Sequence, residues 1–130
     1  MTLRQYNSEA STDVPLVTTA ETVVATVTGI SNGNAGVPIR LRAIAQLTTG
    51  TNTTGVIPRV RRDSLTGTVV NEANTVTIGA AAGSTEQFDI DCDDPVAGEV
   101  ANATYVFTLQ QVAASANGSA LYSYIQADVG

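Results

Sequence analysis

From residue 14 onward the chain alternates apolar and polar positions with a period of two, broken roughly every 8 to 15 residues by Gly, Asn, Asp or Pro. This is the pattern of strands that turn one face to a core and the other to solvent. Residues 14–19, 21–29, 37–49, 55–62, 67–71, 74–78, 85–92, 103–113 and 119–129 all read this way, which predicts eight to nine strands. Helix signals are poor, because β-branched residues abound and the alanine run 80–82 is boxed by Gly79 and Gly83. Turn chemistry fills the gaps. Residues 31–36 (SNGNAG) tolerate positive φ, Pro95 cannot continue a ladder, and Asn117-Gly118 marks a hairpin. Residues 48–55 are expected to be a hairpin loop between the strands on either side. Residues 1–13 are polar and irregular, anchored only by Leu3 and Tyr6, and read as a flexible N-terminal arm ahead of a domain at 14–130.

The alternation also assigns faces. Ile39, Leu41, Ala43, Ala45 and Leu47 share one side of their strand, opposite Arg40, Arg42, Ile44, Gln46 and Thr48. Tyr105, Phe107 and Leu109 alternate with Thr104, Val106, Thr108 and Gln110. In the last strand Leu121, Ser123, Ile125 and Ala127 oppose Ala120, Tyr122, Tyr124 and Gln126, so both faces carry apolar surface. Tyr122 and Tyr124 are therefore candidates for an interface between copies, since tyrosine buries a large apolar body while its hydroxyl stays wet. Long strands, a single Cys and no Trp fit a single jelly-roll β-sandwich better than an immunoglobulin-type domain. The expected class is all-β, antiparallel throughout.

Composition narrows the function. The chain of 130 residues has six arginines, no lysine and no histidine against twelve acidic residues, a net charge of −6. Without histidine there is no Ser–His–Asp or Cys–His nucleophile, and without lysine no Schiff base and no P-loop. One cysteine precludes an intrachain disulfide and a thiolate zinc site. The reading is non-enzymatic. An acidic balance argues against nucleic acid, and no run of 18 apolar residues argues for a membrane span. The first residues carry no apolar segment of signal-peptide type, so synthesis in a cytoplasm is expected.

A polar N-terminal segment, Thr/Val/Ala/Gly-rich alternating strands, the Arg-bearing stretch 38–62 (PIRLRAIAQLTTGTNTTGVIPRVRR) and a terminal tyrosine-bearing strand together resemble a known family. They are similar to the small single-jelly-roll proteins of tailed bacteriophages that decorate or cement the capsid, commonly as trimers resembling tumour-necrosis-factor-like assemblies. The likeness covers roughly residues 14–130 and rests on texture and length, with no diagnostic motif. It implies a homotrimer on the virion surface whose partner is the major capsid protein, with the arm lying on that protein or on a neighbouring copy. Leu3, Arg4 and Tyr6 of the arm, and Arg40, Arg42, Arg59 and Arg61, become capsid-docking candidates. If their two strands pair as a hairpin, these arginines form one basic patch able to grip carboxylates. An intramolecular balance against residues 89–94 is the alternative.

The remaining chemistry is sparse. Asp89, Asp91 and Asp93 alternate on one strand face, and hard oxygen ligands suit Ca²⁺. Asp94 and Val100, however, stand where an EF-hand loop needs Gly and Glu. A solvated face is the plainer reading, with no cofactor. Cys92 beside these carboxylates reads as an unreactive, small hydrophobe. Two rival functions stay open: a receptor- or glycan-binding head-fibre or tail-tip module, and a jelly-roll minor capsid protein.

Overall fold

The computed structural model describes residues 4–9, 14–16, 19–32, 37–48, 54–78, 85–95, 100–112 and 118–129. The strands are β1 (Arg4–Glu9), β2 (Val14–Pro15), β3 (Thr22–Asn32), β4 (Ile39–Thr48), β5 (Thr54–Arg62), β6 (Val69–Glu72), β7 (Val76–Ile78), β8 (Thr85–Asp94), β9 (Val100–Gln111) and β10 (Ser119–Val129). The described residues hold no helix.

One sheet runs β1–β10–β4–β8, with β2 also on β10; the other runs β3–β9–β5–β6, with β7 also on β5. Every pairing is antiparallel. Since β1 and β2 share one edge of β10, and β6 and β7 one edge of β5, each sheet has four strand positions. Along the chain the strands pass back and forth between the sheets, which is the double Greek key of a jelly roll. The expected single jelly-roll sandwich is the observed one.

Two details depart from the sequence reading. Residues 4–9 do not hang free: β1 runs antiparallel to β10 from Arg4 opposite Val129 to Glu9 opposite Tyr124. Alternation over six mixed polar residues is too weak a signal to reveal a strand whose stability comes from main-chain pairing with β10. Strands β4 and β5, expected as a hairpin, lie in different sheets. A turn-rich connector looks the same whether its strands pair or cross between layers.

The core fills the space between the sheets. Ile39, Leu41, Ala43, Ala45 and Leu47 of β4 all point inward and are buried, as do Ile125 and Ala127 of β10. The facing sheet supplies Val27 and Ile30, Val56 and Val60, and the buried Tyr105, Phe107 and Leu109. Phe88 of β8 meets Phe107 edge-on across the layers, with ring centroids 6.2 Å apart and planes at 76°. A register shift between Ala120 and Tyr122 changes the phase of β10. Ala120 is thus buried while Leu121, expected inside, is only half-buried, and Ser123 follows as the next inward residue.

Buried polar groups close the ends. Gln111 donates from Nε2 to the Leu16 carbonyl at 2.8 Å and accepts the Gly118 amide at 2.9 Å, tying β9 to the segments flanking β2 and β10. At the opposite end the turn after β5 is held by the Gly67 amide donating to the Ser64 carbonyl at 2.9 Å. A Cβ on Gly67 would lie 1.7 Å from the Arg62 carbonyl oxygen, so only glycine fits there.

Candidate interaction surfaces

Register sets out the outer face of the β1–β10–β4–β8 sheet row by row. Asp93, Arg40 and Asp128 form one row across β8, β4 and β10; Asp91, Arg42 and Gln126 the next; then Asp89, Ile44 and Tyr124; then Gln87, Gln46 and Tyr122. The face is charged at one end and aromatic and amide-bearing at the other. Both tyrosines lie on it. Tyr122 is 37% exposed, while Tyr124 is half-buried and its hydroxyl donates to Gln126 Oε1. Gln126 in turn donates from Nε2 to the Asp128 carboxylate at 3.1 and 3.2 Å, so a polar ladder runs down β10.

Arg42 reaches sideways to Asp89 at 3.4 Å and Asp91 at 3.9 Å, with all three side chains about half exposed or more. These are weak, solvent-screened pairs. Same-face neighbours in the aspartate column stand about 6.6 Å apart along the strand, and among the described residues no three acidic or thiol side chains cluster as metal ligands. Cys92 points the other way from its acidic neighbours and is half-buried. Burial first, then Asp93, Asp94 and Asp91, push its thiol up to about 11, in the direction the sequence suggested.

The second arginine group belongs to a different surface. Arg59 and Arg61 lie on the outer face of the β3–β9–β5–β6 sheet, where Glu21 draws them together. Arg61 grips Glu21 through Nε at 2.6 Å and Nη2 at 2.9 Å; Arg59 reaches it from Nη1 at 3.0 Å; the Thr108 hydroxyl donates to it at 2.6 Å. Arg59 also contacts Glu72 and donates to Gln110 at 2.6 Å, and Arg61 donates to the Gly67 carbonyl at 2.8 Å. Side-chain exposure is 13% for Arg59 and Glu21 and 18% for Arg61, so this network covers the sheet and leaves little to dock with. Burial raises the Glu21 pKa, but the Arg61 and Thr108 hydrogen bonds and both arginine charges outweigh it and hold the carboxyl below its ordinary value. The single basic patch expected from residues 40–62 is therefore split: Arg40 and Arg42 stay exposed on one sheet, and Arg59 and Arg61 are locked on the other.

Asp94 departs from its aspartate neighbours. It turns inward at the end of β8, only 1% exposed, and is held by Arg62 of β5 and the Tyr105 hydroxyl of β9, the latter at 2.5 Å. Leu3 lies outside the described residues, and Arg4 and Tyr6 sit in β1 opposite Val129 and Ala127. Sequence reasoning passed over Glu21, whose partner Arg61 lies 40 residues away, and took Asp94 only as part of the acidic run weighed against the arginines, not as the buried partner of Arg62, 32 residues away. It also missed Ile44, Gln46 and Gln87 as neighbours of the tyrosines. The period-two pattern did place Ile44 and Gln46 on the outer face of β4, yet which strand flanks which is not written in periodicity.

The strand order defines a single jelly-roll β-sandwich domain. Over 96% of its length the chain superposes on 32% of a chain in the infectious bursal disease virus VP2 subviral particle, with TM-score 0.66 and 13% identity. The infectious bursal disease virus Gx strain gives TM-score 0.64 at 10% identity, over 98% of this chain and 32% of that one. The T=1 particles derived from the same virus give TM-score 0.60 at 13% identity, over 96% and 31%. The chain thus spans about a third of the length of these viral proteins. At such low identity the likeness is one of fold. No family model matches the sequence, and no curated protein is significantly similar to it.

Proposed function

We propose that this chain is a structural component of a virus particle, acting as a non-enzymatic decoration or cement protein on the outside of a bacteriophage capsid. One observation carries the reading: a complete jelly-roll strand order in a chain that superposes over 96% of its length on part of the VP2 chain of a viral particle. The missing catalytic alphabet supports it. Within this reading the outer face of the β1–β10–β4–β8 sheet is the contact surface. Tyr122 and Tyr124 with Ile44 form the apolar half, which seals against sister copies in a homotrimer, and Arg40 and Arg42 form the charged half, which meets carboxylates of the major capsid protein. Arg59 and Arg61 are withdrawn from docking, because Glu21 already occupies them.

The test uses particles of the source virus assembled without this chain. Purified protein is added, and bound stoichiometry and resistance to heat and shear are measured. Saturable binding that raises resistance, lost in Tyr122→Ser and Arg42→Ala, supports the proposal; absence of binding sinks it. The VP2 particles favour a second reading, a shell-building jelly roll, and closed particles formed by this chain alone would select it.

A further inference from the structure

We propose that the free edge of β8 takes up an extended basic segment of another protein as an added antiparallel or parallel strand. This inference stands apart from the virion reading and rests on the edge itself.

Strand β8 pairs with β4 in an unbroken register of ten residues, from Thr85 opposite Thr48 to Asp94 opposite Ile39. Among the described residues nothing pairs with its other side. An open edge presents rows of unsatisfied N–H and C=O groups, and proteins usually protect it with bulges, proline, shortness or charged side chains. The other edges here are protected by their backbones, through bulges or shortness, whereas β8 has only its charges. Strand β3 has three register shifts and Gly29 at φ 72°. Strands β6 and β7 are four and three residues long, and β1 and β2 six and two. Strand β8 alone among the described edges is long, regular and free of proline, with Pro95 falling just after its last residue.

Charge determines what such an edge accepts. Asp89, Asp91 and Asp93 line its outer face and are exposed, and Glu86 is exposed as well. Two copies of β8 paired antiparallel about Ile90 would set Asp89 against Asp91 twice over, and like charges directly opposite are destabilising. The edge therefore repels its own copy. A strand with Lys or Arg at alternate positions meets the opposite situation. Arg42 covers Asp89 and Asp91 only from the β4 side and at long range, and Asp93 makes no ion pair among the described residues. The added strand would extend two rows as basic, acidic, basic, through Arg40 and Asp93 and through Arg42 and Asp91, and would meet Asp89 in a row whose β4 member is Ile44; main-chain bonds give affinity and the aspartates selectivity.

The probe is a blocked ten-residue peptide alternating lysine and threonine, titrated into the full chain at low salt and followed by calorimetry and amide NMR. Expected are saturable binding, shifts concentrated in β8, and no binding of the matching glutamate–threonine peptide. The triple variant Asp89→Asn, Asp91→Asn, Asp93→Asn, checked for an unchanged melting curve, should bind about tenfold more weakly, from three lost cross-strand pairs. Of two peptides N-methylated on either the lysines or the threonines, one should lose binding, because a main-chain ladder tolerates methyl groups only on the side facing away. The proposal is overturned if no peptide binds, if the shifts fall outside β8, or if both methylated peptides bind like the parent.

Discussion

Arg62 and Asp94 are joined across the two sheets by a pair of hydrogen bonds, one from Nε to Oδ2 at 2.6 Å and one from Nη2 to Oδ1. The guanidinium is partly solvated and the carboxylate is not, so one exposed cation keeps one buried anion charged. Tyr105 donates to the same carboxylate, and burial together with that bond pushes its hydroxyl well above the ordinary phenol range. The ends of β5 and β8 are thus held to the middle of β9 at a single buried carboxylate.

This clamp gives a pH dependence with a definite sign. Burial raises the Asp94 pKa, yet the hydrogen bonds from Arg62 and Tyr105 and the Arg62 charge outweigh it, so the folded value lies below the unfolded one. The stabilisation is complete above the unfolded value, about pH 4, and is lost as pH falls through the depressed folded value. Glu21 adds in the same direction. Asp94→Asn should cost about 2 kcal/mol at pH 7 and flatten the acid limb. Urea unfolding at a series of pH values reads both effects, and an acid limb unchanged in the variant would refute the assignment.

The two arginine groups should separate in a stability measurement. Arg61→Met removes two hydrogen bonds from the largely covered Glu21 carboxylate, leaving it Arg59 and Thr108, and should lower stability by about 1.5 kcal/mol. Arg42→Met removes only screened surface pairs and should change it by less than about 0.5 kcal/mol. Equal losses in denaturant midpoint would contradict the partition of the arginines between two sheets.

Ser123 faces the core at 1% exposure, and its hydroxyl has no hydrogen-bond partner among the described residues. An unpaired buried hydroxyl carries a desolvation cost that alanine avoids. Ser123→Ala should be neutral or stabilising by up to about 1 kcal/mol, visible as a raised melting temperature. A clear loss would mean that the hydroxyl is paired in solution.

The Cys92 thiol, pushed up to about 11 by burial and its aspartate neighbours, is almost wholly protonated at pH 8. A thiol reagent should label the native protein far more slowly than the urea-unfolded chain, and raising the pH toward 11 should close that gap. Equal labelling rates in both states at pH 8 would place the sulfur in open solvent.

Much of this architecture could be read along the chain. Two-residue periodicity set the faces of β4 and β9 correctly, down to Leu41 against Arg42 and Phe107 against Thr108, because a pleated strand exposes alternate side chains whatever its neighbours are. The missing histidine and lysine exclude chemistry that needs an imidazole or a side-chain amine. Pairing was another matter. Only the tertiary structure placed β1 beside β10, parted β4 from β5, turned Leu121 aside at a bulge, and sent Asp94 inward to Arg62 while Asp93 stayed in water. Periodicity is local and repeats every residue pair, whereas strand order and ion pairing depend on which distant segments pack together. The closing of one sheet on the other decides that.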